Sequence, residues 1–169
     1  QKAFSNSFFR VYTNDDEIGA EYASAIKNAI AIASGIMKGL NFGDNARAAL
    51  MTRGLAEMKR FGLKMGGKSD TFSGLAGIGD LEVTCNSLFS RNFQAGYSIG
   101  KANSAEEFLK NNKTIVEGIN TAQVITEMAK ELKVEMPICE IVNDIMTNKI
   151  KPTEAYDQLM KRDLKNEKE

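Results

Sequence analysis

The chain has 169 residues, 43% of them hydrophobic and 26% charged, enough for one well-cored globular domain. Lys+Arg and Asp+Glu balance at 22 each, which argues against a dedicated nucleic-acid or membrane-surface protein. There is no histidine, which removes Ser-His-Asp and Cys-His nucleophile systems and the commonest zinc ligand, so acid–base chemistry here falls to lysine and carboxylates.

No basic stretch precedes an apolar run at the start, and no apolar run approaches a membrane span. Cys85 and Cys139 match no metal-ligand spacing and read as reduced, cytosolic core thiols.

Residues 8–13, Phe-Phe-Arg-Val-Tyr-Thr, are aromatic and β-branched and predict one strand. A lone strand lacks ladder partners, so residues 1–13 are expected to be the terminal strand and linker of a preceding domain. Asn14, Asp15 and Asp16 then offer caps for a long helix running to about Gly39.

That helix carries the most informative residue. Lys27 is the only charge between Glu21 and Lys38 in a segment apolar almost all round. Such a helix is normally buried, and a buried lysine must be paired or have its pKa lowered, which fits it for proton transfer near neutrality. The small residues Ala20, Ala23, Ser24, Ala31 and Ser34 share its face and leave room for something to approach. The alternative is a lysine whose stem follows the helix and whose ammonium reaches water. Asn28 beside it adds an amide with two donors and an acceptor.

A second helix is predicted from about Asn45 to Met65, capped by Asp44 and ended by Gly66-Gly67, with Arg53 and Glu57 spaced as a structural ion pair. A short helix over 71–75 follows. Gly74, Gly77 and Gly79 lack a preceding strand and do not form a dinucleotide fingerprint; they read as a turn with close backbone approach. Asp80 opens a helix over 80–85, either as a plain cap or, with Thr84 one turn on, as a partner for Lys27.

Ser90, Arg91 and Asn92 start the next helix, where free N–H groups and an arginine fork suit a phosphate, although an exposed cap is the plainer reading. Ser104 to Glu107 has capping-box spacing. Three amphipathic helices, roughly 116–132, 137–148 and 152–164, and a charged tail complete a single all-α domain over 14–169.

Several blocks together resemble one family. They are Ile18 to Asn28, Asn41 to Asn45, Thr52 to Glu57, Gly74 to Leu81, Val83 to Cys85, Ser90 to Asn92 and Val116 to Gly118. In this order and spacing they resemble the bacterial NAD(P)-dependent sn-glycerol-3-phosphate dehydrogenases. The resemblance implies a C-terminal, substrate-binding helical domain of the 6-phosphogluconate dehydrogenase C-terminal-like type, partnered by an N-terminal Rossmann domain that binds NAD or NADP. It implies hydride transfer between glycerone phosphate and sn-glycerol 3-phosphate for phospholipid synthesis, in the cytoplasm, with a homodimer as one option.

Carried over by position, Lys27 is the general acid/base and also touches substrate. Asn28, Asp80, Thr84, Ser90, Arg91 and Asn92 bind or orient substrate, and Arg91, Ile115 and Glu117 face the cofactor. Rival readings are another two-domain hydroxyacid or 6-phosphogluconate-type dehydrogenase, or an autonomous helical binding module.

Overall fold

A computed structural model describes residues 1–112 and 114–163. Helix α1 (Glu17–Gly39) is followed by α2 (Asp44–Lys64), α3 (Ser69–Phe72), a π-helical turn (Leu75–Gly79), α4 (Asp80–Asn86) and α5 (Arg91–Ala102). Then come α6 (Ala105–Asn111), α7 (Glu117–Leu132), α8 (Pro137–Met146) and α9 (Pro152–Met160). The predicted all-α class holds among the described residues. Leu164, expected to end the last helix, and the charged tail lie outside them.

The expected strand is absent. Residues 8–13 make no ladder; Asn6 Oδ1 accepts the Phe8 and Phe9 N–H groups, and Ser5 Oγ accepts that of Val11. The cause is the one the sequence already implied: strand propensity stabilises nothing without a second strand to pair with, and none exists among the described residues.

Helix α1 is the axis of the fold, packed by α2, α4, α5, α7 and α8. Its start is fixed by Asp16, whose side chain accepts the Gly19 N–H at 2.9 Å, the Lys68 N–H at 2.7 Å and the Thr71 hydroxyl at 2.6 Å. One carboxylate thus caps α1 and ties it to α3. These hydrogen bonds, led by that from Thr71, hold the Asp16 carboxyl below the ordinary carboxylate range.

Two capping expectations need correction. Helix α2 begins at Asp44 itself with Gly43 in the cap position, so Asp44 lies in the first turn, where its charge suits the helix dipole. Ser104 stands at the cap of α6, but its side chain makes no capping hydrogen bond.

Helix α5 lies against α1 through glycines on both. A Cβ added at Gly35 would come 2.1 Å from the Phe93 carbonyl oxygen, and one at Gly96 would come 2.0 Å from that of Ile32. The backbones touch, which places the start of α5 close beside the Lys27 segment.

Candidate functional site

Lys27 is not on the water-seeking edge of α1. Its side chain is 16% exposed and its ammonium donates to Asp80 Oδ2. Of the two sequence readings, the paired, largely desolvated lysine is the one that holds.

Asp80 reaches it because of the glycines before it. The π-helical turn folds back so tightly that a Cβ on Gly77 would sit 2.1 Å from the Phe72 carbonyl oxygen. π-Helical turns of this kind concentrate at functional sites. The turn delivers Asp80 as the first residue of α4, where its charge also suits the helix dipole. The Thr84 hydroxyl donates to the Asp80 carbonyl at 2.6 Å and lies 3.3 Å from Asp80 Oδ1. Thr84 therefore orients Asp80 and makes no hydrogen bond to Lys27 among the described residues. The Asp80 side chain stays 35% exposed, so the pair is reachable from outside.

Asn28, the next residue along α1, is held from three sides. Its amide donates to Glu117 Oε2 and to the Ser24 carbonyl, each at 3.3 Å, and its oxygen accepts from the Asn92 amide at 3.0 Å. The Asn92 oxygen in turn accepts the Gly118 N–H at 2.9 Å. Gly118 is required there, because a Cβ would lie 2.5 Å from the Asn28 carbonyl oxygen. The starts of α5 and α7 are so joined to the Lys27 turn of α1.

At the start of α5, Ser90 Oγ accepts the Phe93 N–H at 3.2 Å and the Ser90 carbonyl takes the Gln94 N–H. The N–H groups of Arg91 and Asn92 lie ahead of the helix's own ladder, as the first ones of any helix do. Such groups are of the kind that suits an anion, and the Ser90 hydroxyl keeps a proton to donate. Arg91 extends from this point with its side chain 61% exposed, 3.6 Å from Glu117 Oε1.

Of the residues carried over, Lys27, Asp80 and Thr84 form one bonded group and Asn28, Arg91, Asn92 and Glu117 a second, the two meeting where Lys27 and Asn28 adjoin on α1, with Ser90 capping the start of α5. Ile115 is not bonded into either and stands 75% exposed on the approach to α7. Asn92 enters differently from expectation: it is 8% exposed and its side-chain amide is turned inward to Asn28 and Gly118.

The contacts of three polar residues were not foreseen from the sequence: Ser34 and Glu57, named there in other roles, and Arg47, which was not named. Ser34, on the Lys27 face of α1, donates to the Cys85 carbonyl at 2.9 Å. Arg47, 9% exposed, donates to the same carbonyl at 3.3 Å and to Asn86 Oδ1 at 2.6 Å. Glu57, read as the ion-pair partner of Arg53, is 2% exposed and its carboxyl accepts the Ile138 N–H at 2.8 Å at the start of α8. Burial pushes the Glu57 carboxyl up to about 8 despite those donors. Arg47 and Glu57 sit at core-facing helical positions, which was the one signal available for them.

Comparison with known proteins identifies the family. Residues 16–157 match the family model described as NAD-dependent glycerol-3-phosphate dehydrogenase C-terminus. The chain is 49% identical over 169 residues to "Glycerol-3-phosphate dehydrogenase [NAD(P)+]" of Enterococcus faecalis, covering 100% of this chain and 50% of that protein. It is 50% identical over 167 residues to the protein of the same name from Lysinibacillus sphaericus, covering 99% of this chain and 49% of the relative. The crystal structure of glycerol-3-phosphate dehydrogenase from Coxiella burnetii superimposes with a TM-score of 0.88 at 40% identity, covering 95% of this chain and 50% of that one. The chain thus spans about half the length of the relatives it matches.

Proposed function

We infer the function from one premise: this chain belongs to the NAD-dependent glycerol-3-phosphate dehydrogenase C-terminus family. We propose that it is the substrate-binding and proton-handling half of an enzyme interconverting glycerone phosphate and sn-glycerol 3-phosphate. The observation that carries this is the Lys27–Asp80 pair, shielded yet reachable, beside the open start of α5.

Reduction of the ketone at C2 places negative charge on its oxygen. An ammonium held by Asp80 and facing that oxygen stabilises the charge and delivers a proton; in reverse, the neutral amine takes the proton from the hydroxyl. Asp80 fixes the direction of the ammonium and Thr84 fixes Asp80. The N–H groups of Arg91 and Asn92, the Ser90 hydroxyl and the Arg91 fork take the phosphate. Binding energy from the phosphate, remote from C2, then holds the carbonyl against Lys27. Asn28, whose amide is committed to Ser24, Glu117 and Asn92, would bind a substrate hydroxyl at the same turn of α1 by exchanging its 3.3 Å contact to Glu117.

The nicotinamide cofactor, when bound, supplies or takes up the hydride. The residues here that suit it form one rim: an exposed guanidinium for its phosphates, the Glu117 carboxylate for its hydroxyl or amide donors, and exposed Ile115 for a flat ring. Most of its site, and the choice of NADH or NADPH, belongs in this proposal to an N-terminal Rossmann domain of the parent protein, with residues 1–13 as the connection and 14–169 as the helical domain. The parent is proposed to be cytoplasmic, to act in phospholipid synthesis and to pair as a homodimer. No helix among the described residues is long and apolar enough to cross a membrane.

The test uses the full-length parent with glycerone phosphate and NADH or NADPH. Lys27→Ala is expected to lower kcat by about 10²- to 10⁴-fold. Arg91→Ala is expected mainly to raise KM for glycerone phosphate. A lysine variant with near-normal kcat would remove Lys27 from the chemistry.

A further inference from the structure

We propose that Arg47 is a positioning residue for the proton-handling pair, holding α4 from behind so that Asp80 meets Lys27. This rests on the reading of Lys27 and Asp80 given above.

Helix α4 has seven residues, too few to be stable by its own ladder, so its place is set by what grips its ends. It lies along α1 in the same direction. Lys27 on α1 meets Asp80 at the front of α4, and Ser34, two turns further along α1, meets the Cys85 carbonyl at the back. The front is also pressed by the π-helical turn against Phe72. The back is closed by Arg47 from α2, whose Nη2 donates both to the Cys85 carbonyl and to Asn86 Oδ1.

The same guanidinium lies over the Phe93 ring, 5.6 Å from its centre, in the first turn of α5 beside Arg91 and Asn92. One side chain therefore spans α2, α4 and α5. It fixes the element that carries Asp80 relative to the helix start proposed to hold phosphate.

A buried arginine is a costly way to fill space. Among the described residues the one ion pair of Arg47 is with Asp44, 3.5 Å away and 91% exposed. Its Nε is buried with no hydrogen-bond partner among the described residues. An apolar side chain of similar size would avoid both penalties, so packing alone does not account for the choice. What an apolar residue lacks is a donor nitrogen that reaches two acceptors on one short helix. Among the described residues the hydrogen bonds of Arg47 go to Asp44, Cys85 and Asn86 and to neither Lys27 nor Asp80, so its effect passes through α4.

The experiment is a double-mutant cycle in the full-length parent, reading kcat and KM for glycerone phosphate with the thermal midpoint of each variant. Arg47→Met keeps the packing on Phe93 and removes the hydrogen bonds. It is expected to lower kcat by about 10- to 100-fold, the scale of a misplacement of ~1 Å, and to change KM by less than about threefold. Arg47→Lys should fall between the two. In an Asp80→Asn background the same Arg47→Met change should cost less than about twofold in kcat, because the group it positions is gone.

An equal loss in both backgrounds would mean general damage and would overturn the proposal, as would near-normal kcat in Arg47→Met. If Arg47→Met does not fold, Arg47→Lys in the two backgrounds gives the same comparison. An Asp80→Asn parent with unchanged kcat would overturn the reading of the site itself. Impaired Asp80→Asn with unaffected Arg47 variants would sink the positioning role alone.

Discussion

Glu57 shows how one side chain can set a pH dependence without touching the site. Its carboxyl moves from 4.5 to about 8 because burial penalises the anion more than the Ile138 and Cys139 N–H donors stabilise it. A raised carboxyl keeps its proton in the folded chain after the unfolded chain has lost it. Between about 4.5 and about 8 the folded state therefore binds more protons, and stability falls as pH rises, by at most about 1.4 kcal/mol per unit. Asp16 has the opposite sign: its lowered carboxyl stabilises the fold at neutral pH, and that contribution is lost in acid, as pH falls below the ordinary carboxylate range. Thermal melts at several pH values from 5 to 8 are expected to show a steeper decline for the natural chain than for Glu57→Gln. Equal slopes would refute the assignment. The two cysteines are buried thiols, with Cys85 pushed up to about 12 by desolvation, so neither is poised as a nucleophile.

Among the elements, α1 and α5 matter most, because their close approach puts the Asn92–Asn28 hydrogen bond within reach. The seam is made of backbone against backbone at Gly35 and Gly96, and also at Gly39 and Gly100. A methyl group there meets a carbonyl oxygen that cannot step aside. Gly96→Ala is expected to lower the thermal midpoint by about 5–10 °C, the equivalent of roughly 2–3 kcal/mol of overpacking in a chain of this size. Gly43→Ala is the control, since an added Cβ there meets nothing within 4 Å, and it should shift the midpoint by only a few degrees at most. Circular dichroism at 222 nm reads both. Two variants of equal stability would show that the seam yields more easily than its geometry implies.

At the scale of the whole molecule, the described residues bring the Lys27 ammonium and its partner Asp80 together beside α1, against which the start of α5 also packs. We expect the isolated 169-residue chain to fold as a helical domain and to show no reduction of glycerone phosphate with NADH or NADPH. The relatives it matches are about twice as long, and the Rossmann half is proposed to hold the hydride donor. Absorbance at 340 nm with chain alone, then with the full-length parent, gives the comparison. Turnover by the chain alone would overturn the division of labour proposed here.

Local pattern was enough to mark the helices, the caps at Asp16 and Ser90, and the anomaly of Lys27 inside an apolar helix. Each of these depends on residues within a few positions of one another, where helix periodicity and capping chemistry operate. The pairing of Lys27 with Asp80 was readable as a suspicion and became specific through the run of matching blocks. The strand over 8–13 failed because its stability depends on partners that local pattern cannot supply. Only the tertiary structure decided that Asn92 turns inward, that glycines let α5 touch α1, that Glu57 receives the start of α8 and that Arg47 grips α4. In each case the deciding contact joins residues distant in sequence, 64 positions apart for Asn28 and Asn92, and its energy exists only once the core has brought them together.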